Sequence, residues 1–304
     1  MNWNLRSGWL VAALTALVVV ATACGSSTTT ATSKGPITVA GFNFPESSIL
    51  ADIYGQALAH DGYTVNYKLL LGNREVVSVA IKAGQVDLYP GYAATDLEFY
   101  NGGAGEANGD ATATTAKLNT HLSPLNLIAL TPSAAVDQNA FAVTQATATK
   151  FNLTKLSDLA AIGNQLVLGG PPECHTRPFC QPGLQTTYGI TFKDFKSLDA
   201  DGPLTRAALK NGSIQVGLVF SSDADLTSLS LVVLQDDKHL ENADNVVPIL
   251  RTAAATDEVK SVLNNIDAHL TTADLVTMNQ QVSILHQDAD AVAKAYLQKN
   301  NFFS

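Results

Sequence analysis

The 304-residue chain lacks the motifs by which many enzymes announce themselves. It has no Gly-x-Ser-x-Gly elbow, no His-Glu-x-x-His pair, no Gly-Lys-Ser/Thr phosphate loop and no dinucleotide-binding glycine turn. Its six histidines, at 60, 121, 175, 239, 269 and 286, are scattered, and His60 and His269 fall near helix ends where a solvated imidazole is commonplace. The expectation is therefore a non-enzyme without cofactor or metal. Basic clusters are also missing. Lys and Arg number 18 against 27 Asp and Glu, a formal charge of −9, which argues against a nucleic-acid partner. Both tryptophans, Trp3 and Trp9, lie in the first ten residues, so an aromatic pocket further along must be built from Tyr and Phe. The apolar run Trp9 to Val20 is too short to span a bilayer comfortably.

That run sits behind a lone Arg6 and ahead of Ala21-Thr22-Ala23-Cys24, the pattern of a secretory signal over 1–23. Cys24, followed by Gly25 and Ser26, resembles a bacterial lipobox. This implies cleavage before Cys24, a lipid on its sulfur and residence on the extracytoplasmic face of the cell membrane. An ordinary cleaved signal with an incidental Cys is the other reading. Loss of the leader removes Arg6 and no acid, bringing the charge to about −10. Residues 24–35, rich in Ser and Thr, read as a flexible tether. Cys174 and Cys180 close a Pro-rich stretch, "PPECHTRPFCQPG". In an exported protein they form a disulfide that shapes a loop. A metal site with His175 is the alternative, but no further Cys or His lies close enough in sequence to complete a tetrahedron.

From Pro36 onward, short β runs alternate with amphipathic helices. "ITVAGF" is β; "PESSILADIYGQALAH" is a helix with Pro45 in its first turn and Asp61-Gly62 as its stop. "YTVNYKLLL" is β, "NREVVSVAIKAG" helical, and "QVDLYPGY" a strand ending in a turn. "NGGAGEANGDA", residues 101–111, is a Gly-rich surface loop. A second series follows from "LSDLA" to a strand over "IQVGLVFSSDADL". The tail is three helices, with Thr272 and Asp288 as expected N-caps of the last two. Strands separated by helices predict α/β blocks with parallel sheets. No sequence repeat is evident. The order of elements suits one lobe made of 36–138 plus 232–304 and a second of 139–231 inserted in it, joined by two chain crossings.

The motifs "NFPES…LADIYGQAL", "LGNREVVSVAIKAGQVDLYPGY", "DQNAFAVT", "LGGPPEC…RPFCQPGL", "VFSSDADL" and "LTTADLVTMNQQV" resemble, in order and over nearly the whole mature chain, the osmoprotectant substrate-binding proteins of ABC importers. These bind quaternary-ammonium solutes of the glycine betaine, choline and carnitine type. The resemblance implies a type II periplasmic-binding-protein fold, with two α/β lobes and a two-crossing hinge closing on a ligand in the cleft. It also implies a permease and an ATPase as partners. A monomer is expected.

Ligands of open α/β sheets lie beyond the carboxyl ends of strands, where helix N-termini offer free N–H groups. Three such corners occur: Asn43 to Ser47, Gly72 to Glu75 with Asn73, and Tyr89 to Thr95. A quaternary ammonium has no N–H to donate and is held by ring faces. The candidates are Tyr89, Tyr92, Phe44 and, from the other lobe, Phe220, with Asp223 to balance a cation. Each has a second reading. Phe44 can staple the first helical turn, Tyr89 can be an inward strand residue, and Asp223 can cap the segment after its strand. Asn139 can read the ligand or stabilise a hinge strand, and Arg74 can pair with a nearby acid. Against the family pattern, Ser47 replaces a Gln, "GYAAT" replaces Glu-Tyr-Thr-Gly-Thr, and Asn242-Ala243-Asp244-Asn245 replaces Pro-Pro-Tyr-Asn. The last change removes a ring from the cage and opens the alternative of a larger, neutral or aromatic ligand.

Overall fold

The computed structural model describes residues 33–303 apart from 225, 227 and 228. The signal 1–23, Cys24 and the tether as far as residue 32 lie outside the described residues. Among those described, no helix is long and apolar enough to cross a membrane.

Strand β1 (Pro36–Phe42) runs into α1 (Pro45–His60), where Pro45 occupies a first-turn position whose N–H would have no helical partner. The 3.6-residue period places Ile49, Leu50, Ile53, Tyr54, Ala57 and Leu58 in the core. β2 (Thr64–Gly72), α2 (Arg74–Lys82) and β3 (Leu88–Tyr92) follow, then α3 (Ala93–Tyr100), α4 (Ala111–Leu122) and the short β4 (Leu127–Ala129). The expected turn at Pro90-Gly91 is not one, since β3 continues through both residues and α3 begins directly after Tyr92. Pro90 faces Pro248 across the sheet. Two prolines have no N–H to exchange, so they suit a position of the ladder that needs none.

The second lobe holds β5 (Asn139–Thr144), α5 (Gln145–Phe151), β6 (Val167–Gly170), α6 (Gln181–Tyr188), β7 (Asp194–Ser197), α7 (Pro203–Lys210), β8 (Val216–Phe220) and β9 (Leu231–Val233). The strand expected over 214–226 stops at Phe220. The chain then returns through β10 (Val246–Arg251), α8 (Asp257–Asp267), α9 (Thr272–Asn279) and α10 (Ala289–Lys299). Thr271, not Thr272, caps α9 in a reciprocal box with Asp274, and Asp288 makes no side-chain cap bond to α10.

Each lobe is a five-stranded sheet, ordered β2-β1-β3-β10-β4 and β7-β6-β8-β5-β9. The sheets are mixed rather than parallel: β10 runs antiparallel to β3 and β4, and β5 antiparallel to β8 and β9. These two antiparallel strands follow the two crossings, and a chain that enters a sheet from the opposite lobe arrives in the reverse direction. β9 pairs with β5, and Leu234 and Leu240 pack in the second core. The second lobe therefore extends past 231, and the return crossing lies beyond Leu240. The crossings pair with each other, Val136 opposite Asn245, with Val246 N–H donating to Ala135 O at 2.9 Å.

Candidate functional site

The corner after β1 is built by backbone capture. Ser47 Oγ turns back to accept Phe42 N–H at 2.8 Å, and Asn43 N–H donates to Gly72 O at 3.1 Å. Phe44 is left at the N-cap position of α1, half-buried, with its ring 5.2 Å from Phe220 of the other lobe and 6.1 Å from Tyr92, centroid to centroid. Phe42 lies beneath, 5.9 Å from Phe44. At the second corner Asn73 Oδ1 caps α2 through Val76 N–H at 3.3 Å. Arg74 is buried, stacks 5.0 Å from the Phe42 ring centre and donates from Nε to Asp96 Oδ1 at 2.8 Å. At the third corner the Tyr92 hydroxyl donates to Glu46 Oε1 at 2.7 Å, and Thr95 donates its N–H to Asp244 Oδ1 at 2.9 Å.

The second lobe supplies Phe220 at the end of β8 and Asn139 at the start of β5, whose Nδ2 donates to Phe179 O at 2.8 Å. It also supplies the loop that the Cys174–Cys180 disulfide pins, so of the two readings of these cysteines the disulfide is the one found. Arg177, inside that loop, reaches across to Glu75 at 2.8 Å. Between the lobes lies a cavity of about 660 Å³, counting its open mouth, and Phe44, Tyr92, Phe220, Arg74, Arg177 and Asp244 are among the residues on its wall.

Carboxyl groups gather behind this cavity. Glu46 is buried in the first turn of α1 and accepts hydrogen bonds from Tyr92, from Ser222 Oγ of the second lobe at 2.6 Å and from Asn279 Nδ2 at 2.6 Å. Burial pushes its pKa up, and the three donors oppose the rise. Asp137, on the first crossing, is pushed well up by burial and then by the Glu46 charge. Asp244, on the second crossing, is raised by burial to about 6 despite the Thr95 hydrogen bonds.

The structure brings Asn43, Phe44, Asn73, Tyr92, Thr95, Asn139 and Phe220 to one cavity. It does not bring Ser47, Tyr89 or Asp223 there. Ser47 is fully buried, occupied with the Phe42 N–H. Tyr89 is buried beneath, its hydroxyl donating to Asp96 at 3.2 Å. Tyr89 and Tyr92 are three apart on one strand, so the pleat sends them to opposite faces. Asp223 binds Arg206 at 2.6 Å in a neighbouring recess beyond Phe44 and Phe220. Sequence reasoning missed Phe42, Asp137, Glu173, Arg177 and the direct role of Asp244 in the wall. An arginine between two cysteines just after a strand was a usable signal for Arg177. Nothing local marks the acids on the crossings.

A family model described as the substrate binding domain of the ABC-type glycine betaine transport system matches residues 35–299. The chain is 26% identical over 278 residues to the glycine betaine-binding protein YehZ of Escherichia coli (strain K12), covering 88% of this chain and 91% of that one. It is 28% identical over 283 residues to the carnitine transport binding protein OpuCC of Listeria monocytogenes, 89% of each chain. The crystal structure of a glycine betaine/carnitine/choline ABC transporter superposes with a TM-score of 0.66 at 22% identity, over 88% of this chain and 100% of that one. The shared fold is that of type II periplasmic binding proteins.

Proposed function

The chain belongs to the family of substrate binding domains of ABC-type glycine betaine transport systems, and on that premise we propose that its cavity captures a betaine for delivery to a membrane permease. The trimethylammonium head lies among Phe44, Tyr92 and Phe220, where a desolvated ring face contributes up to about 2 kcal/mol. Asp244, raised only to about 6 and so ionised at neutral pH, sets a negative charge behind the head. The ligand carboxylate lies toward Arg177, whose buried Nε has no hydrogen-bond partner among the described residues. The observation that carries this reading is the convergence of rings from both lobes in a cavity that also holds two guanidinium groups.

Closure brings the lobes together about the crossings. Glu46 to Ser222 and Glu75 to Arg177 are among the polar contacts that span the cleft, on either side of the rings. The protein acts as a monomer, tethered through lipid on Cys24 at the extracytoplasmic face, and releases its ligand unchanged to the permease and its ATPase.

Titration calorimetry with glycine betaine, choline, carnitine and proline betaine tests the ligand. Micromolar or tighter binding of at least one is expected, and no heat with any of them from folded protein rejects the betaine reading. The loss of a ring at position 244, where the family pattern has an aromatic residue, favours a second reading, a larger or neutral ligand. The carbon isostere of glycine betaine, with a quaternary carbon for the nitrogen, separates the two: equal affinity for it would favour the neutral ligand.

A further inference from the structure

The cavity does not end at its polar wall. Past Thr95, Asn139 and Arg177 it joins a groove of about 1420 Å³, counting its open mouth, more than twice the corresponding 660 Å³ of the cavity itself. The two sides of the groove are the Gly-rich loop after α3 and the disulfide loop with the start of α6. A compact solute held between Phe44, Tyr92 and Phe220 has no use for this space.

Both sides are built. The buried Glu98 carboxylate accepts Gly105 N–H and Ala107 N–H, each at 2.7 Å, and its carbonyl accepts Gly103 N–H at 2.7 Å. Asn101 Oδ1 takes Gly103 N–H and Ala104 N–H at 2.9 and 3.0 Å. Gly103 has φ +79°, and a Cβ there would come within 3.1 Å of Pro178 Cγ, so the first-lobe loop reaches the second lobe. Opposite, Gly183 packs so closely that a Cβ would lie 2.0 Å from Pro178 O, and the disulfide holds the loop ahead of it. Phe99, Pro178, Phe179, Pro182 and Leu240 form the apolar part of its lining, beside Thr95, Asn139, Thr176, Thr186 and Asn242. Its acids are already engaged, Glu98 by the loop and Glu75 by Arg177.

We propose that the cleft takes betaines that carry an uncharged tail, such as an acylated hydroxy betaine, with the head in the cavity and the tail in this groove. The proposal rests on the betaine reading of the cavity. An acyl tail is favoured over a charged one because the groove offers apolar surface, its acids are engaged, and Arg177 is taken by the ligand carboxylate. Burying its methylenes should tighten binding.

Calorimetry of the purified protein with L-carnitine and O-hexanoyl-L-carnitine tests this, in the wild type and in Thr186→Trp. Thr186 is exposed on α6 at the rim of the groove, and a larger side chain there occupies it. Hexanoylcarnitine is expected to bind at least tenfold more tightly than carnitine. Thr186→Trp should cost it tenfold or more while carnitine stays within twofold, with the unfolding temperature as the check on folding. A second variant, Phe99→Ala, should act in the same direction. Carnitine binding without hexanoylcarnitine binding, or a hexanoyl gain that both variants leave untouched, overturns the groove alone. No heat with either ligand, or with glycine betaine, overturns the betaine reading and this inference with it.

Discussion

Tyr92 presents its ring to the cavity and its hydroxyl to Glu46, and substitution can separate the two. Tyr92→Ala is expected to weaken glycine betaine binding about 30-fold, the equivalent of ~2 kcal/mol, by calorimetry. Tyr92→Phe keeps the ring and should leave affinity within about threefold, but it takes a donor from a buried carboxyl and should lower stability to denaturant by about 1–3 kcal/mol. Asp244 carries a pH signature. Burial raises its pKa to about 6 from 3.8. Between those values the folded state holds a proton that the unfolded chain gives up, so stability falls as pH rises from about 4 to about 6 and then levels off, by at most ~3 kcal/mol. Asp244→Asn should flatten this fall in thermal unfolding. Residual slopes of the same sign should remain from Asp52, also raised to about 6 by burial and then by the Asp290 charge, and from the buried Glu46 and Asp137. Phe44, Tyr92 and Phe220 were legible because each stands where a strand hands over to the next segment. Ser47 and Tyr89 were not, because a one-residue change of facing separates a side chain on the cavity wall from one packed behind it.

Helix α1 joins the two lobes through its first turn. Glu46 takes Ser222 from the opposite lobe, 176 residues away in sequence, while Asn279 of α9 donates to Glu46 and to Ser222 O at 3.2 Å. Ser222→Ala removes the cross-cleft donor. A roughly tenfold loss of ligand affinity is expected, about 1.4 kcal/mol, with the aromatic walls intact. Unchanged affinity in calorimetry would mean that this bond does not bear on closure. The disulfide loop forms a wall of both cavity and groove. Chain entropy for so short a loop gives about 2 kcal/mol, so Cys174→Ser with Cys180→Ser should lower denaturant stability by about that much. It should also weaken ligand binding, since Arg177 loses its fixed frame. At this scale, helix starts and stops were read well where Pro, Asn and Gly mark them. Pro90-Gly91 misled because a proline pair across a sheet is invisible until the partner strand is known.

The molecule as a whole is two similar five-stranded sheets, each with one strand that the chain enters directly from a crossing, β5 in one and β10 in the other, and those crossings also carry Asp137 and Asp244. Closing on a ligand should therefore strain or relax the same segments that hold the acids. A bound betaine is expected to raise the unfolding temperature progressively with concentration above Kd, read with an external dye because no tryptophan follows Trp9. A ligand that gives calorimetric heat without any such rise would argue that it binds the unfolded chain as well as the folded protein.

The alternation of β runs and amphipathic helices, the proline start of the first helix and the ring-bearing corners were determined by the sequence alone. Each depends on neighbours within a few residues, where periodicity and backbone chemistry act. The antiparallel sense of β5 and β10, the burial of Glu46, Asp137 and Asp244, and the groove between the Gly-rich and disulfide loops were decided only in the tertiary structure. They arise where segments far apart in the chain meet, and the charge state and facing of a side chain there follow from how far water has been excluded around it.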